Sequence, residues 1–220
     1  DQNVIAGWDA APYLTTGSLN VVIGSQAVKS TNATDLAECV IIGMGAGQNL
    51  DGGVNNCVYV GRDSGKGGTS STGDRNVGVG HSAMISCTTG NHNAAVGFQA
   101  GYNISTGYQN SLLGYAAGYA ITTGYFNCVI GRSEDLSEGI GNTLIGHNYS
   151  VNSITTGDYN TIVGHQAVGS ATVDNQIAIG YQAAVTAQYG IAIGDNVSAG
   201  GDDCVIGKNG NIITVDFDTD

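Results

Sequence analysis

Proline is nearly absent, with Pro12 alone in 220 residues. Cations are scarce too: six Lys and Arg stand against 18 Asp and Glu, for a net charge of −12. That balance argues against nucleic acid or an anionic membrane as a partner, since both reward clustered positive charge. No apolar run reaches the ~18 residues of a membrane helix, so no membrane insertion is expected. The five cysteines (Cys39, Cys57, Cys87, Cys128, Cys204) are odd in number and lack CxxC spacing, which disfavours a zinc site or a disulfide framework. The chain opens at Asp1 without a signal-like run, and is expected to be a fragment or a processed piece of something longer.

Glycine is plentiful, at 36 residues. With so little proline and no Gly-X-Y period, collagen is excluded. The glycines instead mark a repeat. Rows 88–104 (TTGNHNAAVGFQAGYNI) and 105–121 (STGYQNSLLGYAAGYAI) align without a gap, and TTGYFNCVIG follows at 122–131. A fixed period without helical heptads is the mark of a solenoid with one coil per repeat. The glycine that closes an apolar triplet serves as a marker. It falls at Gly7, Gly24, Gly43, Gly61, Gly80, Gly97, Gly114, Gly131, Gly146, Gly164, Gly180, Gly194 and Gly207, which predicts thirteen coils. The spacing is 17 from Gly80 to Gly97 and shrinks to 13 from Gly194 to Gly207, because the Thr-Thr-Gly turn disappears after Gly164.

Positions are counted from the marker. Position −1 is a branched aliphatic in nearly every coil, and position −3 is mostly apolar; in a strand these two face one way. Position −2 faces the other way and is apolar as well, from Val22 and Ile41 to Ala192 and Val205. A strand apolar on both faces is expected to be buried on both. One coil is too thin to do this alone, so a partner chain alongside is expected. Ala at +3 marks a close approach of two segments. Asn at −4 (Asn3, Asn20, Asn76, Asn93, Asn110, Asn127, Asn142, Asn160) is expected to form a ladder of amide hydrogen bonds between coils. Cys39 and Cys57 take that position in adjacent coils, with side chains too parallel for a good disulfide, and free thiols are expected.

Asn175-Gln-Ile-Ala-Ile-Gly180-Tyr-Gln-Ala183 and Ile191-Ala-Ile-Gly194-Asp-Asn-Val197 resemble the head repeat of trimeric autotransporter adhesins of the YadA type. The TTGxxN…VGxxAG rows are similar to the same repeat in phage tail fibres. The resemblance covers residues 1–207 and implies an all-β, left-handed parallel β-roll, three chains about one axis, and surface attachment without catalysis. Departures from autotransporters (no signal peptide, stalk or membrane barrel, and many cysteines) point to the phage form. Residues 208–220 form a separate C-terminal strand, expected to cap the solenoid or lead into a following domain.

The expected function is therefore a structural, adhesive fibre segment on a virion, partnered by two copies of itself, other fibre or virion proteins, and a host surface glycan or protein. A bacterial adhesin head at the cell surface is the first alternative. A left-handed β-helix acyltransferase is the alternative of another class; the Ile-Gly-x-x echo at Ile193 supports it, but the strong apolar triplet recurs once per coil. No catalytic, cofactor or metal residues are expected. His81, His147 and His165 share position +1 but not three consecutive coils. Glu134, Asp135 and Glu138 read as solvated acids, and Asp202, Asp203, Asp216, Asp218 and Asp220 lack calcium-loop spacing. The candidate receptor contacts are aromatic: Phe98 over Tyr115, Tyr102 over Tyr119, and Tyr108 over Tyr125, one coil apart, making a strip suited to the C–H faces of sugars.

Overall fold

A computed structural model describes residues 2–68, 71–133, 135–147 and 154–216, with His147 and Asp216 as main chain only. Each apolar triplet forms one short strand. The strands are β1 (Val4–Ala6), β2 (Val21–Ile23), β3 (Val40–Ile42), β4 (Val58–Val60), β5 (Val77–Val79), β6 (Ala94–Val96), β7 (Ser111–Leu113) and β8 (Cys128–Arg132). They continue as β9 (Thr143–His147), β10 (Thr161–Val163), β11 (Ile177–Ile179), β12 (Ala184–Val185), β13 (Ile191–Asp195), β14 (Ser198–Ala199), β15 (Asp203–Lys208) and β16 (Asn211–Asp216). The first eleven strands, β13 and β15 stack in chain order as parallel neighbours in one sheet. Triplet pairs with triplet without slippage, as in Val77↔Ala94 and Ala94↔Ser111. The described residues contain no helix, and the chain is a parallel β-solenoid of about eleven turns.

The marker column explains the glycines. These residues have φ between +109° and +146°, where side chains are rarely tolerated. Stacking removes the room as well: a Cβ on Gly114 would lie 2.8 Å from the carbonyl oxygen of Gly131. Other turns behave differently. Position −5 is left-handed in every described coil from Leu19 to Asp202, and glycine fills it once, at Gly141.

The core is a single file. Position −2 is buried from Val22 to Val205 except for the half-buried Leu144, as are the +3 alanines beyond Ala10 and the column Cys87, Ile104, Ile121 and Ile154. Tyr59 is the largest residue in that file, and its ring fits because Gly65 and Gly78 flank it: a Cβ on Gly78 would come within 2.9 Å of the ring. Burial raises its hydroxyl pKa well above the usual tyrosine value.

The expectation of strands buried on both faces rested on a partner chain alongside; a single chain buries one face. Within one chain only the −2 face is buried; Leu113 at −1 is 52 % exposed, and Val163 is half-buried on the outer face rather than in the core. The physical reason is that a solenoid has one interior, and alternating side chains of its wall must point away from it.

The Asn ladder is present. Asn110 donates through Nδ2 to Asn93 Oδ1 (3.0 Å) and to Gly124 O (2.9 Å), and its own Oδ1 accepts from the main chain and side chain of Asn127. The pattern runs from Asn76 to Asn160 and again between Asn3 and Asn20. Cys39 and Cys57 interrupt it: their sulfurs accept from the main-chain N–H of Cys57 and Asn76. All five cysteines are free thiols. At the other end Gln176 turns its side chain within its own coil: Oε1 accepts the main-chain N–H of Ser170, and Nε2 donates to the carbonyls of Ser170 and Val173. The last coils then form a second small sheet, β12 beside β14.

The C-terminal segment reverses at Asn209-Gly210, and β16 pairs antiparallel with β15, closing the parallel stack with a hairpin. Phe217, Asp218 and Asp220 lie outside the described residues, as does Glu134.

Candidate functional site

Strands that run through the marker, such as β8, β9, β13 and β15, carry +1 onto the same face as −1 and −3 by simple alternation. Phe98 and Tyr115 are 42 % and 57 % exposed there. Their rings stack 5.4 Å apart, His81 stacks below Phe98 at 5.3 Å, and the Arg132 guanidinium lies 5.7 Å over Tyr115. The Arg132 cation suits the negative face of the Tyr115 ring. Further along, His165 stacks on Tyr181.

The other four residues are elsewhere in the coil. Tyr102 and Tyr119, at +5, stack at 4.8 Å, and Tyr108 and Tyr125, at −6 beside the Thr-Thr-Gly turn, stack at 4.5 Å. Phe126 meets both of the latter edge-on. These tyrosines are half-buried, and lost hydration together with the Tyr108 hydroxyl raises the pKa of Tyr125. The pairing one coil apart is as expected, but the single strip is not. Six residues at three positions of the coil, −6, +1 and +5, make three separate columns.

Sequence reasoning missed the −5 column. Leu19, Phe126, Tyr159 and Tyr189 are each more than half exposed there. The signal was available: each occupies the position just before the ladder position. Of the twenty-one exposed large hydrophobic side chains among the described residues, nine lie on the outer face of the long sheet's strands and nine more flank those strands at −5 and +1. They occupy positions −5, −3, −1 and +1, and β16 continues the face with Ile213 and Val215 opposite Ile206 and Cys204.

Asp135 and Glu138 are exposed, Asp203 accepts from the N–H of Gly200, and no group of three or more metal-ligating side chains occurs among the described residues. No described helix is long and apolar enough to cross a membrane. The thiols of Cys39, Cys57 and Cys87 are buried; burial pushes Cys87 up to about 12, and the Cys57 side chain and burial push Cys39 up.

Comparison with protein families, curated proteins and solved structures finds no match.

Proposed function

We propose that this chain is a structural and adhesive fibre segment: a trimer of left-handed parallel β-rolls of thirteen coils each, of the YadA-type head-repeat kind in its phage tail-fibre form. Its place is the virion, its role is host attachment, and it has no catalytic activity. The observation that carries this reading is the outer sheet face with its flanking positions, which together hold eighteen of twenty-one exposed large hydrophobic side chains (21 − 3). A contiguous apolar face of that size is an interaction surface. A repetitive rod that needs copies of itself is a fibre part. Five free thiols suit a protein folded in a reducing compartment.

Tyr102 with Tyr119 and Tyr108 with Tyr125 lie in turns outside the sheet, so assembly through the sheet leaves them facing solvent. They are the proposed contacts to a host glycan or protein, each weak and multiplied by avidity along many fibres. A bacterial adhesin head would share the same architecture. The acyltransferase reading gains nothing from His81 and His165, which are exposed and stacked on aromatic rings rather than set in a cleft.

Sedimentation equilibrium tests the assembly, with three chains per particle expected. Val163→Asp, on the outer face, should give a monomer that keeps its β signal by circular dichroism. Ile162→Asp, one residue away and 7 % exposed, should lose the fold itself. A folded wild-type monomer at micromolar concentration sinks the proposal.

A further inference from the structure

Four tyrosines of the turns face one another in pairs. Tyr102 and Tyr119 occupy position +5 of consecutive coils, and Tyr108 and Tyr125 occupy position −6. The two pairs bracket the same two stacked turns, Ser105-Thr106-Gly107 and Thr122-Thr123-Gly124. The main chain sets their register. The N–H of Asn103 donates to the carbonyl of Tyr119 (3.1 Å), and the N–H of Phe126 donates to the carbonyl of Tyr108 (3.2 Å). Between them, Ser105 Oγ donates to the carbonyl of Thr122 (3.1 Å).

The rings follow that register. Tyr108 and Tyr125 stack 4.5 Å apart with 8° between their planes, and Tyr102 and Tyr119 stack 4.8 Å apart with 17°. Neighbouring strands stand ~4.8 Å apart, so the first pair leans together. Near-parallel rings at this distance bring the carbons beside each hydroxyl-bearing carbon within reach of their counterparts. Lost hydration, and then the Tyr108 hydroxyl beside it, raises the pKa of Tyr125, so that phenol keeps its proton at neutral pH. Phe126 meets both rings of this pair edge-on, at 5.6 and 5.2 Å, and closes one side of it with a ring that carries no hydroxyl.

We infer that the two pairs are oxidative coupling sites, at which consecutive coils of one chain become joined by dityrosine. The oxidant is hydrogen peroxide acting through a haem peroxidase. Each phenol gives up one electron and its hydroxyl proton, and the radical's spin spreads to the ring carbons ortho to oxygen. An ortho carbon of each ring then bonds to the other. The hydrogens those carbons carried move to the phenolic oxygens, which restores both phenols. The peroxide takes up the two electrons and two protons and leaves as two waters. A partner held face to face outcompetes one that must arrive by diffusion. The inference is independent of the trimeric and adhesive readings, because both rings of a pair belong to one chain.

Among the described residues, only these four tyrosines stack on another tyrosine. Tyr59 is buried in the core, Tyr115 stacks on Phe98, and Tyr181 stacks on His165. The consequence of coupling is mechanical. The long sheet ties the coils along one wall, and each dityrosine ties residues 17 apart in sequence on either side of a turn that lies outside it.

The test is oxidation of the full chain at low concentration with hydrogen peroxide and a haem peroxidase. Dityrosine fluorescence should rise while the product runs at single-chain mass on a reducing, denaturing gel. Peptide mapping after reduction should join Tyr108 to Tyr125 and Tyr102 to Tyr119, each link lighter by two hydrogens; reduction keeps any disulfide among the five thiols out of that count. Tyr125→Phe keeps the ring and removes the phenol, and should lose the first link and keep the second. Tyr119→Phe with Tyr125→Phe should lose nearly all of the fluorescence. Oxidised wild type should melt roughly 5–10 °C above the untreated chain, and the double variant should not shift. Absence of dityrosine from the folded wild type overturns the inference. So do links that map to Tyr13, Tyr159 or Tyr189, full fluorescence in the double variant, or covalent dimers in place of single chains.

Discussion

The coils from Gly80 to Gly164 and those from Gly180 to Gly207 solve one problem in two ways. Both must satisfy main-chain groups at the corner just before the strands of the long sheet. In the longer coils a buried Asn does so, bonding the Asn one coil away and the carbonyl of the turn glycine. In the last coils the ladder position passes to Gln176, Gly190 and Asp203, and a small β12–β14 sheet forms at positions +4 and +5, elsewhere in the coil. A side-chain ladder demands the same residue in each coil, so the long coils are nearly identical rows. Backbone pairing makes no such demand, so the short coils vary in sequence and can be trimmed to 13 residues (Gly194 to Gly207). The Thr-Thr-Gly turn belongs to the first solution only, which is why it vanishes with the ladder.

The sharpest way to break the comparison is to strike what both regions share. Gly114→Ala and Gly194→Ala each force a side chain into a positive-φ position with a carbonyl oxygen in the way. Each should cost more than about 4 kcal/mol and abolish a cooperative thermal transition in either region alike. A small shift in Tm at one site would mean that its coils can spread. Breaking the ladder comes next. Asn110→Leu strands donors and acceptors on three coils and should cost about 3–5 kcal/mol by denaturant melts, whereas Gln176→Leu, at the ladder's end, should cost about half as much. In the other direction, Cys57→Asn should gain about 1 kcal/mol by restoring an amide where a thiol now accepts from Asn76. Equal losses at Asn110 and Gln176 would show that the two corners are energetically the same.

Cys87 separates the regions by pH, because it belongs to the apolar column before the Thr-Thr-Gly turn. Burial raises its pKa from 9.0 to about 12 in the folded chain. The neutral thiol is the form the fold prefers, so its contribution is fully present below about pH 9 and is lost as pH climbs toward 12. Stability should decline over that window, and Cys87→Val should flatten the decline. The smallest effect is expected at the turns. Tyr108→Ala with Tyr125→Ala removes one stacked pair and should cost about 1 kcal/mol, with the trimer intact. Retention of full binding on a bacterial glycan array would assign the pair to structure alone.

Legibility followed the type of physical constraint. The marker glycines, the Asn ladder and the one-coil stacking of aromatic rings could be read directly, because a solenoid turns sequence period into spatial contact. Gly78 was unreadable as a member of the −2 column, since its small size answers the bulk of Tyr59 in the coil before. The left-handed −5 column was equally hidden, because Leu19, Phe126 and Tyr159 are not residues that announce positive φ.

The sequence by itself determined the period, the strand positions and the register, because a strict repeat with a glycine allowed nowhere else leaves one way to stack. Only the tertiary structure decided which apolar face is the interior. Alternation says that −2 opposes −1 and −3 but not which side the coil closes around, and the folded chain buries −2 while leaving −1 and −3 along an outer face. It likewise decided that Phe98 and Tyr115 belong to that face and the four tyrosines to the turns, since the direction of a side chain depends on the path of the coil and not on its column alone.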